Sequence, residues 1–357
     1  NICSNGSMFV EPTNAFEIMN IVQELKSNKS PGYDGYSSKV IKAVIPYVVQ
    51  PLVEVFNQSL STGIFPDKMK IARVTPIFKA DDKLLMSNYR PVSVLPVFSK
   101  ILERLMYNRL LHYLQVNDLL CSNQFGFREK HSTYMALARL MDSITNELEQ
   151  KRHCIGIFID LSKAFDTLDH SILLSKLNLY GVRGLANAWF TSYLTNRKQF
   201  VQVGDEHSET LQVTCGVPQG SILGPLLFIL YINDIVHMSR LAELIMFADD
   251  TNLFFSGNDL ITLTNTVNQE LALLSRWFKL NKLSLNIKKT NYMLFRTCNN
   301  KLDNDLNISI DGIKLSPVTK TKFLGVIINS TLTWNDHIAM IKSKISKNIG
   351  IISRIRF

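Results

Sequence analysis

Cysteine is scarce and scattered. The five in 357 residues, Cys3, Cys121, Cys154, Cys215 and Cys298, form no Cys-x-x-Cys pair, which argues against a disulfide framework or zinc knuckle and suits a reduced, intracellular protein. Charged residues make up only 19% and hydrophobic ones 46%, so a disordered tail is excluded and the chain can fill one large domain or two to three ordinary ones. Long apolar runs are missing too. The longest, residues 222–232, contains Gly224 and Pro225 and is interrupted by Asn233 and Asp234; it falls short of the ~20 residues that span a bilayer, so no membrane partner is expected. No Gly-x-x-x-x-Gly-Lys loop, Gly-x-Gly-x-x-Gly fingerprint, His-Glu-x-x-His or Gly-x-Ser-x-Gly elbow occurs, which removes the commonest nucleotide-cradling, metalloprotease and serine-hydrolase chemistries. The seven histidines are dispersed from His112 to His337. Asn1 in place of Met, with no signal peptide, suggests a segment of a longer chain.

What is abundant is positive charge. Thirty-nine Lys and Arg against thirty Asp and Glu leave +9, which favours a polyanionic partner. Between residues 314 and 357, Lys314, Lys320, Lys322, Lys342, Lys344, Lys347, Arg354 and Arg356 face the single acid Asp336. Taken alone, that bias is equally well a solvated helix face.

Apolar periodicity predicts helices over 15–25, from Ser37 or Ser38 onward, over 98–114 and over 134–148, with a short strand at 73–79 and extended chain after Pro91. From His153 the pattern shifts to buried strands ending in carboxylates. Residues 154–159 form a continuous apolar run closed by Asp160, as in a strand covered on both faces. Residues 221–235 read as a buried helix. The runs 244–247 and 253–255 flank Asp249 and Asp250 and suggest a hairpin; Asp311-Gly312 signals another. A last helix begins near Ile338, with an apolar stripe at 338, 341, 345, 349 and 352.

If the strands ending at Asp160 and at Asp249-Asp250 are neighbours in one sheet, their carboxylates meet. Hard oxygen ligands of this kind suit Mg²⁺, and two such ions can stabilise the attacking and leaving oxygens of a phosphoryl displacement. Strand-end acids are common in turns, but an adjacent pair flanked by apolar residues costs energy unless a cation or proton compensates. Alternation along a strand turns the two side chains opposite ways, so Asp249 is expected to bridge the metals and Asp250 to help from the turn.

The chain resembles the reverse transcriptases of non-LTR, LINE-like retrotransposons, most closely the jockey-like elements, over nearly its whole length. The matching stretches, in the family's order, are Lys29-Ser30-Pro31-Gly32-Tyr33-Asp34-Gly35, Pro76-Ile77-Phe78-Lys79, Tyr89-Arg90-Pro91, Gln124-Phe125-Gly126-Phe127-Arg128 and residues 158–166. They continue with Gly216-Val217-Pro218-Gln219-Gly220-Ser221, Phe247-Ala248-Asp249-Asp250, Asn286-Ile287-Lys288-Lys289-Thr290 and Phe323-Leu324-Gly325. Phe247 stands where many relatives have Tyr.

The resemblance implies an α+β right-hand polymerase fold: helical fingers over 1–150, a palm of antiparallel sheet backed by helices over 151–330, and the truncated start of a thumb over 331–357. It implies RNA-directed DNA polymerase activity on an RNA template, with dNTPs and a DNA primer or nicked target DNA. Two Mg²⁺ ions, replaceable by Mn²⁺, would be held by Asp160 and Asp249, with Asp250 in support and the Leu161 carbonyl completing the coordination. Lys79 and Arg90 match residues that clamp the triphosphate. Phe165 would block a 2′-hydroxyl, Gln219 would touch the nucleotide and template base, and Lys289, with Lys288 beside it, would protonate pyrophosphate. The thumb cations Lys342, Lys344, Lys347 and Arg354 would follow the duplex phosphates while the apolar stripe packs on the palm. Nuclear action is expected by the same likeness, although no basic localisation run appears. No upstream endonuclease or downstream RNase H pattern is seen. Two other readings stand beside this one: a catalytically silent domesticated or fossil copy that only binds nucleic acid, and an RNA-dependent RNA polymerase. Phe165 and Ala248 argue against the second, because such enzymes usually carry Asp and Gly there.

Overall fold

The computed structural model describes residues 6–297 and 305–355; Cys3, Cys298 and Arg356 lie outside them. It is a mixed α+β structure with two compact units, each assembled from stretches distant in sequence. One comprises residues 1–121 and 163–234, the other 122–162 and 235–357. The sequence had suggested contiguous segments divided near 150 and 330.

In the first unit the helix Ala15–Glu24 starts at Asn14, whose side chain accepts from Glu17 N. The helix Ser38–Thr62 is capped likewise by Ser37 and stops at Gly63, whose φ of 71° suits the left-handed position that ends a helix. This helix is long and apolar enough, by length and composition, to cross a membrane, a feature the reading centred on 222–232 passed over. It contains Pro46 and Pro51 and buries Ile41, Ile45, Val49, Phe56 and Leu60 in its own unit, leaving Val40, Val44, Tyr47 and Val55 exposed. Phe65, Trp189 and Tyr193 pack edge-on and stacked beside it, with Trp189 Nε1 donating to Ser59 Oγ at 3.1 Å. A sheet is led by the antiparallel hairpin of Ile71–Phe78 and Tyr89–Val94, with Lys198–Val203 added parallel to the first strand.

The apolar helix Leu223–Ile232 is buried all round. Such a helix cannot leave its first N–H groups to water, and a side chain from the helix Val97–Val116 meets that need. The Glu103 carboxylate, fully buried, accepts from Ile222 N at 2.7 Å, from Leu223 N at 3.4 Å and from Ser99 Oγ at 3.1 Å. Burial pushes its pKa above the ordinary carboxylate range, against the lowering influence of Arg197 and these donors.

The second unit is organised by a five-stranded sheet. Its order is Ser316–Pro317, Asn291–Phe295, His153–Ile159, Asp250–Gly257 and Glu243–Phe247, antiparallel except for the first pair. The central position of His153–Ile159 explains its unbroken apolar run. Cys154, Phe158, Phe254, Met293 and Phe295 join Ala136, Leu140 and Ile144 of the helix Thr133–Glu149 and Phe323 and Ile328 in one core. The helix Leu260–Leu280 packs along the strand that precedes it. Burial drives the Cys154 thiol up to about 12, so it is an inert core group. Asp311 and Gly312, at φ 53° and 78°, form the two-residue turn that the sequence suggested between Ser309–Ile310 and Ile313–Lys314.

Replacing Glu103 by Ala strips the buried helix start of its acceptors. We expect a loss of about 2–3 kcal/mol, the cost of stranding buried donors, in the urea unfolding of this unit; an unchanged midpoint would refute the capping role.

Candidate active site

Strand register places the carboxylates. Ile159 pairs with Thr251 across the two central antiparallel strands, so Asp160 continues opposite Asp250. On the other side of Asp250–Gly257, Phe247 pairs with Asp250, which leaves Ala248 and Asp249 as a two-residue turn. Ala248 takes a φ of 55°, an uncommon conformation for a residue with a Cβ. Asp249 therefore occupies the turn and Asp250 opens the strand, the reverse of the expectation that Asp250 would act from the turn. Desolvation, then the charges of Asp249 and Asp160, push the Asp250 carboxyl up to about 6 although its side chain keeps solvent access.

Asp160 is fixed by a loop more than a hundred residues away in sequence. Asn286 Nδ2 donates to Asp160 Oδ2 at 2.9 Å, Asn286 N to the Asp160 carbonyl at 2.9 Å, and Asp160 N to Thr290 Oγ1 at 3.3 Å. Leu161 bridges Leu285, and Ser162 N donates to the Ser284 carbonyl. The loop closes on itself through Thr290 Oγ1, which donates to the Asn286 carbonyl at 3.0 Å. Lys288 and Lys289 of this loop are both exposed. Asn286 and Thr290 entered the sequence reading only as letters of a motif. Their spacing of four, typical of a side chain closing one helical turn, was the available signal.

Phe165, Gln219, Lys79 and Arg90 belong to the first unit. The half-buried Phe165 ring stacks on Phe228, with centroids 4.4 Å apart and planes at 25°. Its carbonyl accepts from Val217 N, and the Leu168 carbonyl accepts from Gly216 N, so the loops bearing Phe165 and Gln219 are zipped together. Gln219 does not cap the following helix. Its Nε2 donates to Asp166 Oδ1 at 2.8 Å and its carbonyl accepts from Ser93 N at 2.7 Å. Burial raises the Asp166 pKa, offset partly by the Gln219 amide and Lys163. Asp166, Gln219, Pro91 and Ser93 line a cleft of about 290 Å³. A larger cleft of about 670 Å³ in the same unit, lined by residues such as Asp67, Lys70 and Asn187, contains none of the expected residues. Lys79 and Arg90 are exposed on the hairpin of Ile71–Phe78 and Tyr89–Val94, Lys79 N donating to the Asn88 carbonyl.

On the helix Asn335–Ile355, Lys342, Lys344, Lys347 and Arg354 are exposed. The apolar stripe is exposed as well: Ile338, Ile341, Ile345, Ile349 and Ile352 are all at the surface. The expectation that it packs on the palm is thus corrected. The start of the helix is tied down by Asp336 accepting from Asn329 and Lys320 and by Ile327 N donating to His337 Nδ1.

Among the described residues, no three acidic, His or Cys side chains converge as a ready-made ion cage. Three carboxylates close enough to raise the pKa of one of them nevertheless form a hard, negatively charged donor set. One or two such carboxylates, completed by substrate phosphates, are what Mg²⁺ ordinarily takes, so the residues fit a divalent cation that binds together with its substrate.

The raised pKa gives a sign. Stability contributed by Asp250 is complete below its ordinary pKa of 3.8 and is lost as pH climbs through about 6. In metal-free buffer, Asp250→Asn should flatten the decline of Tm over that window, and at pH 7 saturating Mg²⁺ should raise the wild-type Tm more than that of the variant. Superimposable curves in thermal denaturation would contradict the coupling.

A family model described as "Reverse transcriptase (RNA-dependent DNA polymerase)" matches residues 77–328. The chain is 32% identical over 346 residues to the "Probable RNA-directed DNA polymerase from transposon BS" of Drosophila melanogaster, an alignment spanning 93% of this chain and 37% of that protein. It is 30% identical over 340 residues to the "RNA-directed DNA polymerase from mobile element jockey" of Drosophila funebris, with the same shares. A third relative, the "Putative 115 kDa protein in type-1 retrotransposable element R1DM" of Drosophila melanogaster, is 29% identical over 343 residues, 95% of this chain and 32% of its own length. The chain spans about a third of the length of these proteins.

Proposed function

The chain belongs to the reverse transcriptase (RNA-dependent DNA polymerase) family, and on that premise we propose that it synthesises DNA on a retrotransposon RNA template, extending a primer 3′-hydroxyl with dNTPs. The observation that supports this reading is the placement of Asp160, Asp249 and Asp250 at the ends of adjacent antiparallel strands, where the charges of the first two help to raise the pKa of the third.

Asp160 and Asp249, with the Leu161 carbonyl, are the proposed holders of two Mg²⁺, or of Mn²⁺ in their place. When bound, such ions lower the pKa of the attacking hydroxyl and offset charge on the α-phosphate and the leaving pyrophosphate. Asp250 adds negative charge from the first position of its strand. Asn286 holds Asp160 by side chain and backbone, so the carboxylate is oriented before substrate arrives. Lys79 and Arg90 are assigned to the triphosphate, where cations on exposed side chains neutralise charge as it binds. Phe165, held by Phe228, is assigned the exclusion of a 2′-hydroxyl. Gln219, held by Asp166, is assigned contact with the nucleotide and template base. Lys289 is assigned protonation of pyrophosphate.

At the level of architecture the reading is a right hand: fingers through about residue 150, a palm to about 330, and the beginning of a thumb whose Lys342, Lys344, Lys347 and Arg354 follow duplex phosphates. The partners are an RNA template and a DNA primer or nicked target DNA, with action in the nucleus.

Primer extension on RNA with dNTPs and Mg²⁺ tests the reading. The unmodified protein should extend, and Asp249→Ala should lose at least ~10²-fold in kcat, a common scale for losing an electrostatic group from such a centre. Failure of the unmodified protein to extend while still binding the duplex would favour a silent binding copy. Phe165→Val should raise rNTP incorporation relative to dNTP; efficient rNTP use by the unmodified protein would instead indicate RNA synthesis.

A further inference from the structure

The stretch Gln124-Phe125-Gly126 acquires no role in the chemistry assigned above, yet it lies against the turn that carries Asp249. Residues 123–125 run alongside the edge strand Glu243–Phe247. Met246 N donates to the Asn123 carbonyl at 2.9 Å, Phe125 N donates to the Met246 carbonyl at 2.8 Å, and Gln124 bridges Met246 in parallel. Asn123 Nδ2 adds a bond to the Leu244 carbonyl at 2.9 Å. The hairpin is thereby held along one whole side, from residue 244 to its tip.

At the tip the contact narrows to one side chain. Gln124 is 2% exposed. Its Oε1 accepts from Ala248 N at 2.9 Å and from Gly126 N at 2.7 Å, while its Nε2 donates to the Ala248 carbonyl at 3.3 Å. A single amide thus satisfies both backbone groups of Ala248, the residue immediately before Asp249. Only a side chain with an acceptor and a donor on the same head can do this; a carboxylate lacks the donor and would add a fourth negative charge near three others. Gly126 closes the other side. A Cβ there would sit 2.2 Å from Ala248 N and 2.9 Å from the Phe247 carbonyl carbon, a collision with backbone that cannot move aside cheaply.

We infer that Gln124 is a positioning residue for catalysis, clamping Ala248 so that Asp249 is presented in one orientation, with Gly126 providing the space in which the clamp closes. Ala248 needs such a clamp because its φ of 55° is otherwise disfavoured for a residue with a side chain. Relaxation of the turn toward ordinary backbone angles would swing the Asp249 carboxylate away from Asp160 and Asp250. The inference rests on the polymerase reading above.

The test uses the full chain, with Gln124→Met as a variant of similar length that lacks both polar groups and Gly126→Ala as a second. Amide hydrogen exchange across residues 247–250 should rise at least 10-fold in Gln124→Met, because the Ala248 N–H loses its acceptor. In primer extension at saturating Mg²⁺, kcat should fall roughly 10- to 100-fold, the scale of a ~1 Å misplacement, while KM for dNTP stays within about two-fold. A structural amide would instead lower Tm with kcat intact once the protein is folded. Unchanged exchange, unchanged kcat, or a variant unfolded at the assay temperature each overturns the proposal. Asp249→Ala run in parallel keeps the two questions apart: if the unmodified protein does not extend primers the polymerase reading falls, whereas the exchange result still decides whether the clamp exists.

Discussion

Everything in the site depends on the register of one strand pair. His153–Ile159 and Asp250–Gly257 are antiparallel neighbours, and Ile159 sits across from Thr251. Because side chains alternate with a period of two, a slip of one residue would turn every group on one strand to the opposite face and separate Asp160 from its partners. Both faces of the pair are packed: Ile155, Ile157, Phe158, Leu253 and Phe255 are all removed from solvent. Hydrophobic packing that has no chemistry of its own therefore fixes the distance between charges that would otherwise repel.

The charges in turn shape what surrounds them. Burial and then the neighbouring carboxylates raise the cost of ionising Asp250, and donors and tight turns stand beside these acids. Asn286 meets Asp160, and Gln124 meets the turn before Asp249. The first unit shows the same kind of contact, where Glu103 meets the start of a buried helix and Asp166 meets Gln219. In each case a polar side chain from a distant stretch satisfies backbone or carboxylate groups that a buried position would leave stranded.

Local pattern made much of this legible. The unbroken apolar run before Asp160 gave a central strand, the paired aspartates between apolar runs gave a hairpin, and Asp311-Gly312 gave another, because strand burial and turn chemistry are written in consecutive residues. The supporting contacts were not legible, since Asn286 and Asp160 are 126 positions apart and Gln124 and Ala248 are 124 apart; nothing in spacing alone couples them. That each unit is assembled from stretches distant in sequence is likewise not written in consecutive residues. The exposed stripe on Asn335–Ile355 shows the converse limit: a helical period identifies an apolar face without saying what, if anything, covers it. The helix Ser38–Thr62, expected from Ser37 or Ser38 onward, runs on through both of its prolines, Pro46 and Pro51.

The interleaving has a temporal side. The central strand ends at residue 159, whereas its neighbour begins at residue 250, so during synthesis some ninety residues must emerge before the middle of the sheet finds an edge to join. At roughly 5–20 residues per second that leaves an almost wholly apolar segment waiting for several seconds on the ribosome, while residues 163–234 of the other unit are made. The arrangement that sets the acids at neighbouring strand ends is the same one that delays closure of the sheet until the second of those strands has been made.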